Sequence, residues 1–163
     1  MWLLDCSDNF GRCVGSFGFC QTDSCREQRN FQVKKVLILC TVNGVRSITS
    51  EALINAELCQ AIQAFSSGVA ASGSVYPSTK RILQIHDIWR DGYHSKKLRM
   101  LIHIDFDLVV TVCDRASQTF PIFPDTTEIT HLGFEDPDGG DEQVFELFFN
   151  QMKARLLPYT RSA

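Results

Sequence analysis

The sequence has few of the features that mark a specialised class of protein. No apolar run reaches the roughly 18 residues that a membrane-spanning helix needs, and Asp5 interrupts Trp2-Leu3-Leu4 where a secretory signal would need a longer apolar core. Basic residues are not in excess, because 16 Lys and Arg stand against 19 Asp and Glu and give a net charge of −3. We therefore predict no membrane segment and no nucleic-acid partner.

The spacing that metal sites require is also missing. The 4 histidines are scattered, and none of the 7 cysteines pairs with another as C-x2-C. We therefore predict no bound metal. Residues 1–32 contain Cys6, Cys13, Cys20 and Cys25, several Gly and Ser, and no clear hydrophobic period. We predict that they form a poorly ordered N-terminal extension and not a zinc site.

Residues 33–163 show the pattern of a globular α/β domain. The whole chain is 44% hydrophobic and 21% charged, as ordinary globular proteins are. Short β-branched and apolar runs predict strands at 33–39, 61–66, 106–112 and 129–132. Helical periodicity predicts helices that begin near Ser47, Pro77 and Leu98, and a terminal helix over 141–157. Strands that alternate with helices indicate a doubly wound parallel sheet.

The apolar faces of these predicted helices give more specific expectations. Cys59 continues the period of the first helix, so we expect it in the core. The spacing of Leu98, Leu101 and Ile102 predicts the third helix. The predicted buried face of the terminal helix consists of Val144, Leu147, Phe148, Met152 and Leu156. Lys96, Lys97 and Arg99 form a basic cluster that we interpret as a solvated helix face rather than the flank of an anion site.

Residues 40–47, Cys-Thr-Val-Asn-Gly-Val-Arg-Ser, lie between the first predicted strand and the first predicted helix. Loop amides and a helix N-terminus can point at one anion there, and Arg46 can hold two of its oxygens. The same positive field would lower the pKa of Cys40 and make it a thiolate nucleophile. The alternative is a buried cysteine at a strand end with an unrelated surface arginine. Ligands of parallel sheets bind beyond the carboxyl ends of the strands, where Cys40 and Cys113 both fall.

Residues 40–47 resemble the low-molecular-weight protein tyrosine phosphatase superfamily when they are taken together with 106–116 (FDLVVTVCDRA) and 131–137 (HLGFEDP). Within that superfamily the three stretches are most similar to the arsenate reductase branch, and the resemblance covers about residues 33–157. It implies the low-molecular-weight phosphatase fold, which is a four-stranded parallel sheet flanked by helices. It also implies a mechanism that uses a cysteine thiolate.

The resemblance gives roles to the residues of this loop. Cys40 would attack the central atom of a tetrahedral oxyanion, while Arg46 and the amides of residues 41–46 stabilise the developing charge. Asn43 would fix the loop conformation, and Ser47 would donate a hydrogen bond to the thiolate. The oxyanion-binding loop then consists of Thr41, Val42, Asn43, Gly44, Val45 and Ser47.

Two further residues distinguish the activities of the superfamily. Asp136, just before Pro137, occupies the general-acid position and would protonate the leaving oxygen; otherwise it is a carboxylate of an acidic turn. In the arsenate reductase branch a cysteine at the position of Cys113 attacks the Cys40–arsenic adduct, and a disulfide forms as arsenite leaves. A phosphatase does not need this thiol, and the alternative for Cys113 is a small buried residue at a strand end.

The chain also departs from the superfamily's pattern. The family usually has Gly where Val42 stands and often Cys where Val45 stands, and a β-branched residue restricts the loop's backbone angles. Thioredoxin-coupled reductases have a further cysteine near the position of Phe120. A relay of three cysteines is therefore missing in its usual form, and a reductase cycle would need an external thiol.

We therefore predict a thiol-dependent enzyme that resembles arsenate reductases and acts on a small oxyanion. It would hold no bound cofactor and would use a low-molecular-weight thiol or a thiol-redox protein as reductant. A reducing cytoplasm fits a cysteine that must stay a thiol. The first alternative is a phosphatase for phosphotyrosine or a small phosphomonoester, with Asp136 as general acid. The second is a non-catalytic oxyanion-binding module.

Overall fold

The structure of the protein is a computed structural model that describes residues 33–119, 123–124, 126–137 and 139–163. The predicted extension 1–32, with its four cysteines, lies outside the described residues. The described part is built on the predicted alternation of strands and helices.

Parallel strands form the centre of the described domain. They are β1 (Lys34–Cys40), β2 (Ile62–Gly68), β3 (Leu108–Thr111) and β4 (Glu128–His131), in the order β2-β1-β3-β4. This confirms the predicted doubly wound parallel sheet. β3 covers Leu108–Thr111 and is shorter than the predicted run 106–112. Asp107, directly before it, accepts a hydrogen bond from the Lys35 N–H on its carboxylate at 2.7 Å.

The helices are α1 (Arg46–Glu57), α2 (Pro77–Ile85), α3 (Asp114–Thr119) and α4 (Glu142–Ser162). Cys59 lies beyond the end of α1 and is half-buried, so its predicted place on that helix is wrong. The helix predicted near Leu98 is a single 3-10 turn, Leu98–Met100, since Leu98 and Leu101 reach the core while Ile102 points to solvent. α3 was not predicted, because six residues are too few to show a period.

The buried face of α4 differs from the predicted one. Phe148, Met152 and Leu156 are buried, as predicted. Val144 and Leu147 are instead 44% and 61% exposed, and Phe145 and Phe149 are buried in their place. The larger aromatic surface packs into the larger core, since it removes more apolar area from water. Asp141 is the N-cap of α4 and accepts a hydrogen bond from the Val144 N–H at 3.0 Å.

Alternate side chains of β1 supply the two faces of the sheet. Val36, Ile38 and Cys40 join the larger core with α1, α2 and α4, while Leu37 and Leu39 join a smaller core on the opposite face. β1 and β3 are hydrogen-bonded neighbours, so Cys40 and Cys113 emerge at the same edge of the sheet. None of the described helices has the length and apolar character that a membrane-spanning segment requires.

Candidate active site

The two cysteines that follow the central strands are in contact. Cys40 ends β1, Cys113 lies two residues after β3, and their sulfur atoms are 3.5 Å apart. The hydroxyl of Thr41 lies 3.3 Å from the Cys113 sulfur. Both cysteines are 3% exposed. The register of β1 against β3, in which Leu39 pairs with Thr111, brings the two thiols together.

These two thiols titrate as one unit, because a hydrogen bond joins them. The Cys40 thiol donates to the Cys113 sulfur, and this bond lowers the pKa of Cys113 to about 5, with smaller help from Thr41 and from the Ala116 N–H. The same bond, together with burial, raises the pKa of Cys40, although the charge of Arg46 opposes the rise. The hydrogen bond therefore favours a single negative charge on the pair, with Cys113 as the acceptor of the remaining proton's hydrogen bond. The predicted thiolate at Cys40 requires its proton to pass to Cys113, and it stays a prediction.

The carbonyl groups of the 40–44 loop point away from the anion cradle. Segment 69–76 donates its backbone N–H groups to them. The bonds run from Val69 to Cys40 at 3.1 Å, Ala70 to Thr41 at 2.8 Å, Ser72 to Val42 at 3.0 Å and Tyr76 to Gly44 at 3.2 Å. The ring of Tyr76 also explains the glycine at 44, where an added Cβ would lie 2.9 Å from two ring carbons. Segment 69–76 therefore holds the 40–44 loop in shape through the loop's carbonyl groups, and the N–H groups of the loop take no part.

The N–H groups of the loop remain available for a ligand. The Val42 N–H bonds to the Cys40 sulfur. Among the described residues no acceptor is found for the N–H groups of Thr41, Asn43, Gly44, Val45 and Arg46. Converging N–H groups at a helix N-terminus form a binding site for an oxyanion.

The left-handed turn of the loop lies at Asn43, whose φ is 55°. The backbone at Val42 does not have a positive φ, so the branched side chain there causes no strain of the left-handed kind. Asn43 is fully buried, and its Nδ2 donates to Ser47 Oγ at 2.8 Å and to Ser66 Oγ at 2.9 Å. Ser47 Oγ thus accepts from Asn43, and its predicted hydrogen bond to the Cys40 thiolate stays a prediction.

Arg46 joins the cradle to the loop that carries Asp136. Its Nη1 donates to the Phe134 carbonyl at 3.1 Å, and its Nη2 lies 2.6 Å from Asp136 Oδ2. The Nε of Arg46 is buried and has no hydrogen-bond partner among the described residues. The side chain of Asp136 is 45% exposed, so water reaches the carboxylate that Arg46 holds. The structure thus brings Cys40, Arg46, Cys113 and the loop together, with Asp136 held by Arg46.

Sequence reasoning missed a buried ion pair beneath the loop. Lys96 Nζ lies 3.1 Å from Glu51 Oε2, and Lys96 is not on a solvated face, so that interpretation was wrong for this residue. Lys97 and Arg99 are exposed. Burial raises the pKa of Glu51, while the charge of Lys96 and the hydroxyl of Ser66 lower it. The sequence did contain one sign of this ion pair: Glu51 interrupts the apolar residues of α1, where a lone carboxylate is unexpected.

The described ranges contain no group of three or more His, Cys, Asp or Glu side chains that could hold a metal ion. The candidate site consists of the two thiols, the loop amides and Arg46. This is the arrangement of an enzyme that performs thiolate chemistry on an oxyanion.

Comparison with known proteins agrees with this geometry. Residues 35–161 match the model of the family described as low molecular weight phosphotyrosine protein phosphatase. Arsenate reductase 1 of Bacillus cereus is 31% identical over 129 residues, which cover 79% of this chain and 96% of that protein. The chain therefore belongs to the low molecular weight phosphotyrosine protein phosphatase family, and it is a thiol-dependent enzyme of the arsenate reductase or phosphatase kind.

Solved structures show the same fold. An arsenate reductase from Archaeoglobus fulgidus superimposes with a TM-score of 0.65 and 28% identity over 76% of this chain and 97% of its own. A low molecular weight protein tyrosine phosphatase from T. tengcongensis superimposes with a TM-score of 0.68 over 80% of this chain and 99% of its own. Its identity is 22%, so it supports the fold alone.

Proposed function

We propose that the chain is an arsenate reductase in which Cys40 is the nucleophile and Cys113 the resolving thiol. The observation that carries this proposal is the 3.5 Å contact between the two sulfur atoms beside the anion cradle. A phosphatase would need only the first of these thiols. The similarity to the reductases of Bacillus cereus and Archaeoglobus fulgidus supports arsenate as the substrate.

In the first step the proton of Cys40 passes to Cys113 along their hydrogen bond, and the Cys40 sulfur attacks arsenic. One arsenate oxygen takes up protons, among them the proton that Cys113 received, and leaves as water, so that Cys113 is again a thiolate. Arg46 and the N–H groups of residues 41–46 stabilise the charge on the remaining oxygens. The unpartnered Nε of Arg46 provides an additional donor for them.

In the second step Cys113 acts as the resolving thiol. Its thiolate attacks the sulfur of Cys40, so that an S–S bond forms and the S–As bond breaks. Arsenic keeps the electron pair of the broken bond, passes from As(V) to As(III) and leaves as arsenite. The two cysteines supply the two electrons.

An external thiol must then reduce the disulfide. The sequence has Phe120 near the position of a third relay cysteine, and residue 120 lies outside the described residues. We propose a low-molecular-weight thiol or a thiol-redox protein as the reductant, and no bound cofactor. A cytoplasmic location would keep both thiols reduced.

The second candidate is a phosphatase for phosphotyrosine or a small phosphomonoester. The observation in its favour is the position of Asp136, whose carboxylate is 2.6 Å from Arg46. From there Asp136 would act as general acid and protonate the leaving oxygen. Both candidates use the same loop, Cys40 and Arg46.

The test offers the purified protein arsenate with several thiol systems and, side by side, an aryl phosphate. We expect arsenite release and a Cys40–Cys113 disulfide in the peptide mass spectrum. Cys113→Ser should abolish arsenite production and leave aryl phosphate hydrolysis within a few-fold. Cys59→Ser is the matched control, since Cys59 is a half-buried cysteine beyond α1.

If Cys113→Ser reduced arsenate as fast as the parent protein, Cys113 would not be the resolving thiol. Phenol release without arsenite would favour the phosphatase. If the protein bound an oxyanion but released neither arsenite nor phenol, the non-catalytic binding module would be the remaining candidate.

A further inference from the structure

Arg155 of α4 is not used by the proposed mechanism, and its contacts lie on the segment that carries Asp136. Its Nη1 donates a hydrogen bond to the Gly133 carbonyl at 3.1 Å. Its guanidinium also lies over the ring of Phe134, with Cζ 4.7 Å from the ring centroid. The ion pairs found among the described residues do not include Arg155. This arginine is therefore committed to residues 132–137, which we call the Asp136 loop.

Backbone hydrogen bonds fix the first half of the Asp136 loop to the chain that leaves β3. The N–H of Leu132 donates to the Thr111 carbonyl at 2.9 Å, and the N–H of Phe134 donates to the Val112 carbonyl at 3.2 Å. The Phe134 ring is 7% exposed and packs in the larger core. The loop is thus held as far as Phe134, and Asp136 follows two residues later.

Two arginines from different helices hold this loop. Arg46 begins α1, and it donates from Nη1 to the Phe134 carbonyl at 3.1 Å while its Nη2 lies 2.6 Å from Asp136 Oδ2. Arg155 holds the preceding carbonyl, at Gly133, and the face of the Phe134 ring. Phe134 therefore connects the two arginines, because its ring meets Arg155 and its carbonyl meets Arg46.

An oxyanion in the cradle competes for Arg46 but not for Arg155. The Arg46 guanidinium must donate to the anion, so its Nη2 turns from Asp136 to the oxyanion or divides its hydrogen bonds between the two. The contact that holds Asp136 is then weakened at the moment when the oxyanion is bound. Arg155 extends from a different helix, in which the neighbouring Met152 and Leu156 are fully buried. Its hold on the loop does not depend on the anion.

We propose that Arg155 is a positioning residue, which keeps Phe134 and Asp136 in place after an oxyanion has engaged Arg46. Once it carries a proton, Asp136 then stays close enough to pass it to the leaving oxygen, and Asp136 returns to a carboxylate. This step rests on the proposed function, because the cradle must first bind the substrate. Holding the loop requires no turnover, so it is tested separately. An arginine that only stabilised the fold would affect the unfolding midpoint and not the loop of the anion-bound protein.

The first test measures hydrogen exchange at the Phe134 N–H by NMR, because the hydrogen bond of this group breaks when the loop opens. Without anion, Arg155→Met should exchange within about two-fold of the parent, since Arg46 still holds the loop. With saturating phosphate it should exchange about five-fold faster, the effect expected from one cation–π contact at an exposed site. Lys153→Met is the matched control and should stay at the parent rate in both conditions. It removes the same charge two residues away on α4, where Lys153 pairs with Glu57 at 2.6 Å.

The second test needs no ligand. Arg46→Ala removes the other arginine, so that Arg155 alone holds the loop, and the Phe134 N–H should exchange within about two-fold of the parent rate. Arg46→Ala combined with Arg155→Met should exchange at least about five-fold faster than either single variant. Equal exchange in the single and double variants would overturn the proposal. If phosphate does not protect Cys40 of the parent from iodoacetamide, the oxyanion site is wrong, and this comparison still decides whether Arg155 holds the loop.

Turnover of arsenate or of an aryl phosphate provides an independent check on the Asp136 step. Arg155→Met should lower kcat about five-fold and leave KM within about two-fold, because Arg155 is not part of the cradle. In an Asp136→Asn background the same change should have no further effect, since the residue that Arg155 positions no longer has a proton to give. Arg155→Lys keeps the charge and should recover part of kcat. A loss in Arg155→Met that adds fully to the loss in Asp136→Asn would show a purely structural role and contradict the proposal.

Discussion

Replacing Asp136 by asparagine should have opposite effects on oxyanion binding and on phosphoester hydrolysis. Asp136 Oδ2 lies 2.6 Å from Arg46 Nη2, so the carboxylate competes with an incoming anion for the guanidinium. The Asp136 side chain is 45% exposed, and water screens such a pair. Its worth is then at most about 1 kcal/mol, or roughly five-fold in an equilibrium constant. We expect Asp136→Asn to bind phosphate up to about five-fold more tightly.

The same variant should be a poor phosphatase. Asparagine has no acidic proton, and the loss of a general acid slows a reaction by about 10²–10⁴-fold. The loss should be smaller for a leaving group that needs little protonation. The assay combines phosphate protection of Cys40 with kcat for two aryl phosphates of different leaving-group acidity. Glu135→Gln is the matched control, since it removes an exposed neighbouring carboxylate.

Three results would contradict this reasoning. Weaker phosphate binding by Asp136→Asn would mean that Asp136 does not compete with the anion for Arg46. An equal loss of kcat for both leaving groups would remove the general-acid role. If Glu135→Gln gave the same gain in affinity, the effect would come from net charge alone.

Two further predictions concern the thiol pair and the packing behind the loop. Iodoacetamide labelling of the Cys40–Cys113 pair should persist from neutral pH down to about pH 5 and fall below it, because the pKa of Cys113 is lowered to about 5 and the pair takes up its second proton there. A fall centred at about pH 8.5 would indicate two ordinary, independent thiols. Gly68→Ala should lower the unfolding midpoint by several degrees, since its Cβ would lie 2.8 Å from the Thr41 carbonyl oxygen, which is backbone. Gly92→Ala, with nothing within 4 Å of its Cβ, should not change the midpoint, and equal midpoints for the two variants would contradict the close packing.

The central strands β1 and β3 were predictable from sequence because a buried parallel strand is a continuous apolar run, and the run 106–112 gave the clearest signal. The buried face of α4 was not fully predictable, because this helix carries two apolar faces and only one of them packs into the core. Val144 and Leu147 have the correct spacing, but Phe145 and Phe149 bury more surface. Spacing alone cannot decide between stripes when the partner surface is unknown.

Part of the candidate site was predictable from the sequence, and part of it was not. Cys40 and Arg46 were found because the loop is contiguous in sequence and starts at a strand end. The Glu51–Lys96 pair was missed, because a charged residue is exposed unless it is paired. These partners are 45 residues apart, and nothing local to either one shows the pairing.

The parallel pairing of β1 with β3 also bears on how the protein folds. Cys40 and Cys113 are separated by 73 residues, so their contact depends on a non-local pairing that closes late compared with local helices. The chain cannot present its dithiol until the middle of its sheet has assembled. The chemistry of this pair therefore reports on the completion of folding, and a partly folded chain holds two separated cysteines of ordinary acidity.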